Sequence, residues 1–241
     1  MRLDQLLVAR GLLPSRAAAR AAIEAGKVRV GGAVARAPSQ KVGVDAVVEA
    51  QAAHPFVSRA GLKLDHALSL WPVRVEGRVV LDVGASTGGF TQVCLMRGAA
   101  RVYAVDVGHG QLHADVASDA RVISLERQDA RTLDRTLISD APGLIVCDAS
   151  FISLAKVLKV PLTLAAGDAD LVTLVKPQFE MEGRSDVGRG GVVRDEAARR
   201  AALARVRVWL EGEGWHIAGE ADSPITGGDG NHEYLLWARR R

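Results

Sequence analysis

Acidic and basic side chains follow the apolar stretches of this sequence, and they are its first candidates for chemistry. They stand at the end of an apolar run, or a few residues beyond one, at Asp82, Asp106, Asp129, Asp148 and Lys176. The carboxyl ends of parallel strands meet at one edge of an open α/β sheet, and ligands bind there. If the apolar runs are such strands, these side chains surround one site that suits a hydroxyl-rich or cationic ligand.

The turn after Asp82 is the strongest of these signals. It reads Gly84-Ala85-Ser86-Thr87-Gly88-Gly89-Phe90 and connects an apolar run to a helical pattern. Glycines let the backbone approach a ligand, and the helix that follows offers free N–H groups. The turn lacks the Gly-Lys-Ser/Thr ending of a phosphate loop and the G-x-G-x-x-G spacing of a dinucleotide fold. An acid before the first glycine suits the methionine end of S-adenosylmethionine; a tight turn without a ligand is the alternative.

Asp106 and Asp129 extend the predicted site toward a nucleoside. Asp106, followed by Val107, lies 22 residues beyond Gly84, where an acid in a doubly wound nucleotide site hydrogen-bonds the ribose hydroxyls. Asp129 is placed to accept a hydrogen bond from an adenine amino group. The alternatives are a helix N-cap at Asp106 and a surface turn at Asp129.

Asp148 and Lys176 end two further apolar runs. A lysine at the end of an apolar strand is unusual, because burial of an ammonium group is costly. A functional role and a salt bridge to a carboxylate are compatible interpretations. Cys147, beside Asp148, has no neighbouring histidine, so we interpret it as a small buried residue rather than a nucleophile. Glu233 precedes the last apolar run, as a site residue or a hairpin residue.

Alternating strand and helix patterns predict how these residues are positioned. Residues 1–50 form a small α+β domain, 51–60 a linker, and 61–241 an α/β domain with a doubly wound parallel sheet. The last two strands lack a crossover helix and should pair antiparallel at one edge. We expect strands at 79–83, 101–105, 121–125, 143–147, 170–175, 214–219 and 233–238, helices near 61–70, 88–97, 110–117, 153–165 and 194–212, and a loop over the site, or a linker, at 183–191.

Charge divides the chain in the same way. Residues 1–63 contain ten lysines and arginines against four acids, a net charge of +6, and the whole chain carries +3, so the remainder carries −3. A basic segment on a mildly acidic body is typical of a module that meets a polyanion, and the alternative is a solvated surface.

Composition excludes several other classes. No apolar run approaches the roughly 18 residues that a membrane span needs, and the amino terminus lacks the layout of a secretory signal. The two cysteines form no cluster, and the six histidines are scattered. We therefore expect a cytoplasmic protein without a membrane association or a metal site.

With these residues established, the chain resembles the haemolysin-A-like (TlyA) family of ribosomal RNA 2′-O-methyltransferases. The resemblance covers nearly the whole chain. Its amino-terminal part is similar to the S-four RNA-binding domain, and the rest to FtsJ-like methyltransferases. The matching signatures are Arg2-Leu3-Asp4, Ser15-Arg16, Gly26-Lys27-Val28, Val57-Ser58-Arg59-Ala60-Gly61, Asp82-Val83-Gly84, Asp148-Ala149-Ser150-Phe151, Lys176-Pro177-Gln178-Phe179-Glu180 and Gly230-Asn231-His232-Glu233.

The resemblance implies a Rossmann-like methyltransferase sheet, S-adenosylmethionine as cofactor, and a catalytic tetrad of Lys63, Asp148, Lys176 and Glu233. It implies 2′-O-methylation of a cytidine ribose in 23S rather than 16S ribosomal RNA, free or within a ribosomal subunit. The residues expected to hold the cofactor are Asp82, Gly84, Ala85, Ser86, Thr87, Gly88, Gly89, Phe90, Asp106, Val107, Asp129 and Asp148, and those expected to bind RNA are Arg2, Arg16, Arg20, Lys27 and Arg29.

Two other functions remain open at this point. One is a ribosome-assembly factor that binds RNA without catalysis, and it would be expected to lose Lys176 or Asp148, both of which are present. The other is a nucleotide-dependent oxidoreductase, which a comparison of S-adenosylmethionine with NAD as stabilising ligands would distinguish.

Overall fold

The computed structural model describes residues 1–181 and 191–240, and these residues divide into two compact units, Met1–Pro55 and Phe56–Arg241. We call them the N-terminal unit and the C-terminal unit. The division falls inside the segment 51–60 that the sequence predicts as a linker. The loop predicted at 183–191 lies, except for Gly191, outside the described residues.

The N-terminal unit contains two helices and a small sheet, in agreement with the α+β domain that the sequence predicts. Ser15 begins the second helix as an N-cap, because its hydroxyl accepts a hydrogen bond of 3.2 Å from the Ala18 N–H. Leu3, Leu7 and Val28 are fully buried between the helices and the sheet. The elements are α1 (Leu3–Ala9), α2 (Arg16–Glu24), β1 (Val28–Val30), β2 (Ala33–Val34) and β3 (Val48–Ala50), and the antiparallel strand order is β2-β1-β3.

The C-terminal unit alternates strands and helices, as the sequence predicts. Its strands are β4 (Val79–Val83), β5 (Arg101–Asp106), β6 (Val122–Glu126), β7 (Leu144–Cys147), β8 (Asp170–Val175), β9 (Trp215–Asp222) and β10 (Tyr234–Arg240). Its helices are α3 (Ala60–Leu70), α4 (Gly89–Met96), α5 (Ala114–Ala117), a 3-10 turn (Ala130–Thr132), α6 (Leu154–Val157), α7 (Lys159–Leu164), α8 (Pro177–Glu180) and α9 (Glu196–Gly212).

Within residues 56–181 and 191–240 the strands form one seven-stranded sheet in the order β6-β5-β4-β7-β8-β10-β9. The strands from β6 to β8 are parallel, and β10 is antiparallel to both of its neighbours. The predicted antiparallel pair is therefore present. Within it, β9 occupies the edge, and the last strand of the chain lies between β8 and β9.

Apolar side chains cover both faces of this sheet. Along β4, Leu81 and Val83 face the core beneath α6, α7 and α9, whereas Val80 faces the core beneath α3 and α4. A strand that is covered on both faces has to be apolar nearly throughout, which explains the continuous apolar runs of the sequence. Of the helices in the described ranges, none has the length and apolarity that crossing a membrane demands.

Two predicted helices differ from those observed. The helix expected near 110–117 is reduced to Ala114–Ala117, because the Glu126 carboxylate accepts hydrogen bonds from the N–H groups of the loop before it. The helix expected at 153–165 is interrupted at Leu158. The second of the resulting helices contains Pro161 in its first turn, where the missing N–H costs no helical hydrogen bond.

Candidate active site

A cavity of about 520 Å³ lies beside the carboxyl ends of β4, β5 and β7. This is the sheet edge at which the sequence predicts a ligand site. Among the residues predicted to hold the cofactor, those that line the cavity are Gly84, Ser86, Asp106, Val107, Asp129 and Asp148.

Gly84 is required by the geometry at the floor of this cavity. Its φ of +83° lies in the left-handed region, and a Cβ atom there would stand 3.0 Å from the Ala149 Cα and 3.1 Å from the Ala149 backbone nitrogen. Because the obstruction is backbone, no side-chain movement relieves it. Gly84 thus allows the end of β4 to lie against the segment that follows β7 and presents Asp148.

The remaining predicted cofactor residues lie outside the cavity lining. Thr87 is exposed, and Asp82, Ala85, Gly88, Gly89 and Phe90 are buried. Phe90 belongs to the core, and a Cβ on Gly89 would stand 2.3 Å from the Ser58 Oγ. Gly89 therefore permits close packing of α4 against the start of α3. These residues form the turn without lining the cavity. Direct contact between them and the cofactor stays a prediction.

Asp82 is a buried acid beneath the turn. The Thr91 hydroxyl donates a hydrogen bond of 2.6 Å to its Oδ2, and among the described residues Oδ1 has no hydrogen-bond partner. Burial, opposed by the Thr91 hydrogen bond, raises the pKa of Asp82 to about 7. The acid connects the end of β4 to the first turn of α4.

Asp106 is held firmly at the cavity wall. Its Oδ2 accepts a hydrogen bond of 2.8 Å from the Ser86 N–H, and its Oδ1 accepts one of 2.7 Å from the Gly108 N–H. Each carboxylate oxygen keeps a further lone pair. The side chain is therefore fixed in place and still able to accept from hydroxyl groups.

Gln111 contributes to this wall and Glu126 supports it, and neither residue is predicted to do so from the sequence. Backbone N–H groups of Gly110, Gln111 and Leu112 donate to the Glu126 carboxylate and lower its pKa. The loop they hold carries Gln111 into the cavity lining, where its Oε1 lies 3.2 Å from the Ser86 Oγ. In the sequence, a glutamate at the end of a strand is as compatible with a surface position as with a role in holding this loop.

Asp129 lines the cavity but also has a partner. The Arg131 guanidinium donates to both of its carboxylate oxygens, at 2.6 to 3.0 Å, and lowers the pKa of Asp129. Arg131 also lines the cavity. The predicted contact between Asp129 and adenine would have to share the carboxylate with this arginine.

Lys176 and Asp148 meet at the rim of the cavity, as their places at the ends of β8 and β7 predict. The Lys176 Nζ lies 2.6 Å from the Asp148 Oδ1 and donates to the Ser150 Oγ at 2.9 Å and the Asp148 carbonyl at 3.1 Å. The lysine side chain is 9% exposed. The amine is thereby oriented by three oxygen atoms and shielded from most of the solvent.

Lys63 and Glu233 form a second pair nearby. The Lys63 Nζ, on α3, lies 2.5 Å from the Glu233 Oε2, and the two side chains are 9% and 3% exposed. Glu233 directly precedes β10, in which Tyr234 pairs with Val175, the residue before Lys176. The antiparallel insertion of β10 therefore places Glu233 at the sheet edge that Lys176 occupies.

Phe151 is another residue that the motif alone did not explain. Its φ is +66°, unusual for a bulky residue, and the residue is 91% exposed. It lines the cavity, and its ring centroid lies 5.3 Å from that of Phe179. The exposed ring of Phe151, which follows the Ser150 that accepts from the Lys176 amine, offers a stacking surface.

The interpretation of Cys147 as a buried residue agrees with its surroundings. Cys147 is fully buried, and burial raises the pKa of its thiol to about 12. A thiol that stays protonated is a poor nucleophile. In residues 1–181 and 191–240, no group of three His, Cys, Asp or Glu side chains is arranged to hold a metal ion.

In the N-terminal unit, the residues predicted to bind RNA have different surroundings. Arg2 and Arg16 both contact the buried Asp4 carboxylate, whereas Arg20 pairs with the exposed Glu24 at 2.8 Å. Arg29 donates to the Gly32 carbonyl at 2.9 Å. Lys27 and Arg29 line a shallow polar depression of about 470 Å³.

Comparison with known proteins agrees with this geometry. Residues 56–240 match the family model of the FtsJ-like methyltransferases. The chain belongs to the FtsJ-like methyltransferase family. Residues 1–48 match the S4 domain. These are the two domains that the resemblance implies, and the TlyA relatives confirm it.

Individual relatives match over most of their length. The 16S/23S rRNA (cytidine-2′-O)-methyltransferase TlyA of Mycobacterium tuberculosis is 47% identical, with 99% of this chain and 89% of the relative covered. The 23S rRNA (cytidine-2′-O)-methyltransferase TlyA of Campylobacter jejuni is 35% identical, with 76% and 70% covered. A solved structure from Streptococcus thermophilus that bears the hemolysin name superimposes with a TM-score of 0.79 at 36% identity, with 100% and 88% covered.

The cofactor of this family is S-adenosylmethionine, and the cavity fits it. The molecule has a cationic sulfonium, a ribose with two hydroxyl groups and an adenine ring. The cavity wall supplies carboxylates at Asp106, Asp129 and Asp148, and Gly84 leaves the space that a Cβ atom would otherwise obstruct. Hydroxyl groups and a positive charge both favour such an acidic wall.

Proposed function

We propose that this protein transfers the methyl group of S-adenosylmethionine to the 2′-hydroxyl of a cytidine in ribosomal RNA, in 23S rather than 16S RNA. The observation that carries the proposal is the shielded Lys176 amine beside Asp148 at the rim of the cavity. A ribose hydroxyl is a weak nucleophile until a base withdraws its proton, and a positioned lysine is such a base. A cytoplasmic location accords with a ribosomal substrate.

The cavity residues orient the methyl donor. Bound there, S-adenosylmethionine supplies an electrophilic methyl group. We assign the ribose hydroxyls to Asp106, because its carboxylate is fixed by the Ser86 and Gly108 N–H groups. Asp129 would accept a hydrogen bond from the adenine amino group with a carboxylate that it shares with Arg131. Asp148 faces both the cavity and the Lys176 amine.

The four predicted catalytic residues divide into a base and its positioning groups. The Lys176 amine accepts the proton of the 2′-hydroxyl. Asp148 and Ser150 hold that amine in one orientation. Lys63 and Glu233 hold each other and the incoming hydroxyl. Correct alignment of two reactants is worth roughly 7–11 kcal/mol of the barrier, so positioning rather than acid catalysis supplies most of the rate.

The substrate assignment rests on the N-terminal unit and on the relatives. The S4 match and the basic residues of that unit support docking to the phosphate backbone, which positions RNA without reading its sequence. The exposed ring of Phe151 offers a base of unpaired RNA a stacking surface. Both TlyA relatives are named for 23S RNA and one of them also for 16S RNA, which favours the large subunit.

The test is methyl transfer to defined RNAs. Purified protein is incubated with radiolabelled S-adenosylmethionine and 23S transcript, 16S transcript or intact ribosomal subunits. We expect label in 23S RNA at a cytidine whose 3′-phosphodiester bond resists alkali, because a 2′-O-methyl group prevents cleavage there. Label on a base would contradict the proposed chemistry, label in 16S RNA alone would contradict the subunit assignment, and RNA binding without transfer would indicate an assembly factor.

Replacing Asp106 with alanine is expected to weaken S-adenosylmethionine binding by about tenfold to a hundredfold, since two hydroxyl groups lose a charged acceptor worth roughly 1.5–3 kcal/mol. Calorimetry measures the affinity. The matched control is Asp168→Ala, whose side chain is 87% exposed and which does not line the cavity. Equal affinities of both variants and the unaltered protein would remove Asp106 from the cofactor site.

A further inference from the structure

The N-terminal unit contains a buried carboxylate with two exposed arginines attached to it. The Asp4 side chain is 6% exposed, whereas those of Arg2 and Arg16 are 43% and 62% exposed. Arg2 donates from Nε to the Asp4 Oδ1 and from its terminal nitrogen to Oδ2, both at 3.0 Å. Arg16 donates to Oδ2 at 3.3 Å, and the Gln5 N–H donates to Oδ1 at 3.0 Å.

We propose that Asp4 is a positioning residue that holds Arg2 and Arg16 together as one preoriented site for phosphate groups of the RNA backbone. The inference rests on the proposed function, in which the N-terminal unit docks the substrate RNA. The inference assigns an acidic residue a role in RNA binding, whereas the net charge of the unit indicates only a group of independent cations.

The geometry explains how an acid assists in binding an anion. A guanidinium group has five N–H donors. Arg2 uses two of its nitrogens on Asp4 and Arg16 uses one, so both groups retain donors that point away from the carboxylate. Fixing a long side chain before binding reduces the ordering cost when a phosphate arrives. The trio keeps a net positive charge of one.

The carboxylate keeps its charge at every working pH. The hydrogen bond from Arg2, with a further contribution from Arg16, lowers the pKa of Asp4 to about 2 although burial opposes this shift. The two ion pairs therefore persist wherever the protein is folded and active.

Among the described contacts of the unit, Arg10 and Arg29 are held by backbone carbonyls rather than by a buried carboxylate. Arg20 pairs with Glu24 in an exposed ion pair whose side chains are 69% and 58% exposed, an arrangement of little energetic value. Helical spacing groups Arg16 with Arg20, but the tertiary structure groups Arg16 with Arg2 through Asp4.

The test compares two substitutions that change the charge equally. Asp4→Asn and Asp45→Asn each remove one negative charge from the N-terminal unit, and Asp45 is exposed. Binding of the full-length variants to a 23S transcript is measured over a series of salt concentrations. We expect Asp4→Asn to weaken binding by about tenfold and to flatten the slope of log K against log salt by about one unit, although it makes the unit more basic. Asp45→Asn should leave binding unchanged or slightly tighter.

A double-mutant cycle separates positioning from loss of fold. In an Arg2→Ala/Arg16→Ala background, Asp4→Asn should have little further effect on RNA affinity, because the residues through which it acts are absent. Arg2→Lys/Arg16→Lys keeps both charges but loses the planar fork, and we expect it to weaken binding about as much as Asp4→Asn does. This pair of variants tests the inference even if Asp4→Asn does not fold.

The outcomes distinguish this inference from the function on which it rests. If Arg2→Ala/Arg16→Ala binds the transcript normally, docking through this surface fails and the inference fails with it. If that variant binds weakly but Asp4→Asn behaves like Asp45→Asn, only the role of Asp4 is refuted. A full additional loss from Asp4→Asn in the alanine background would show a structural effect and would also refute it.

Discussion

Methyl transfer by the Lys176→Ala variant is expected to be slower by about a hundredfold to ten-thousandfold, the contribution of a positioned general base. Affinity for S-adenosylmethionine should stay within a few-fold of normal, because Lys176 is not among the residues that line the cavity in the described part of the chain. Single-turnover kinetics with 23S RNA measures the first quantity and calorimetry the second.

The Lys176→Arg variant distinguishes a base from a structural cation. Arginine keeps a positive charge beside Asp148 but cannot lose its proton, so we expect a stable and equally slow enzyme. Lys159→Ala and Lys159→Arg, at an exposed position, are the controls. Near-normal turnover in Lys176→Arg would exclude lysine as the base.

Removing Lys63 alone is expected to lower the free energy of unfolding by about 3–5 kcal/mol, because it leaves the Glu233 carboxylate buried without a counter-ion. The two atoms lie 2.5 Å apart, and neither side chain is more than 9% exposed. Lys63→Met should therefore unfold at a lower denaturant concentration. Breaking the more exposed pair of Arg97 and Asp65 by Asp65→Asn should cost about 1 kcal/mol or less.

Replacing both members of the buried pair separates stability from activity. An apolar pair of similar volume often restores stability, so Lys63→Met/Glu233→Leu should recover most of the loss. Methyl transfer should nevertheless stay reduced, because neither side chain can then hold the substrate hydroxyl. Denaturant unfolding and single-turnover rates measured on the same samples test both statements. Normal turnover in the double variant would assign this pair a purely structural role.

The sequence by itself determined the strand positions, the parallel part of the sheet and the acids at the strand ends. β4 occupies residues 79–83, as predicted, Asp106 is the last residue of β5, and Asp148 and Lys176 follow their strands at the expected edge. These features depend on apolar periodicity and on the preference of each residue for helix, strand or turn. Both properties are contained in short segments of the chain.

Only the tertiary structure decided which side chains form ion pairs and hydrogen bonds with one another. Lys63 and Glu233 are 170 residues apart in the chain, and they meet because β10 inserts antiparallel between β8 and β9. Arg131 forms an ion pair with Asp129, and Asp4 brings Arg2 and Arg16 together. Glu126 accepts hydrogen bonds from a loop where the sequence predicts a helix. Each of these depends on the direction and distance of side chains from separate elements. Periodicity shows which residues form an element and which face is apolar, but strand order and side-chain direction follow from the packing of the whole unit.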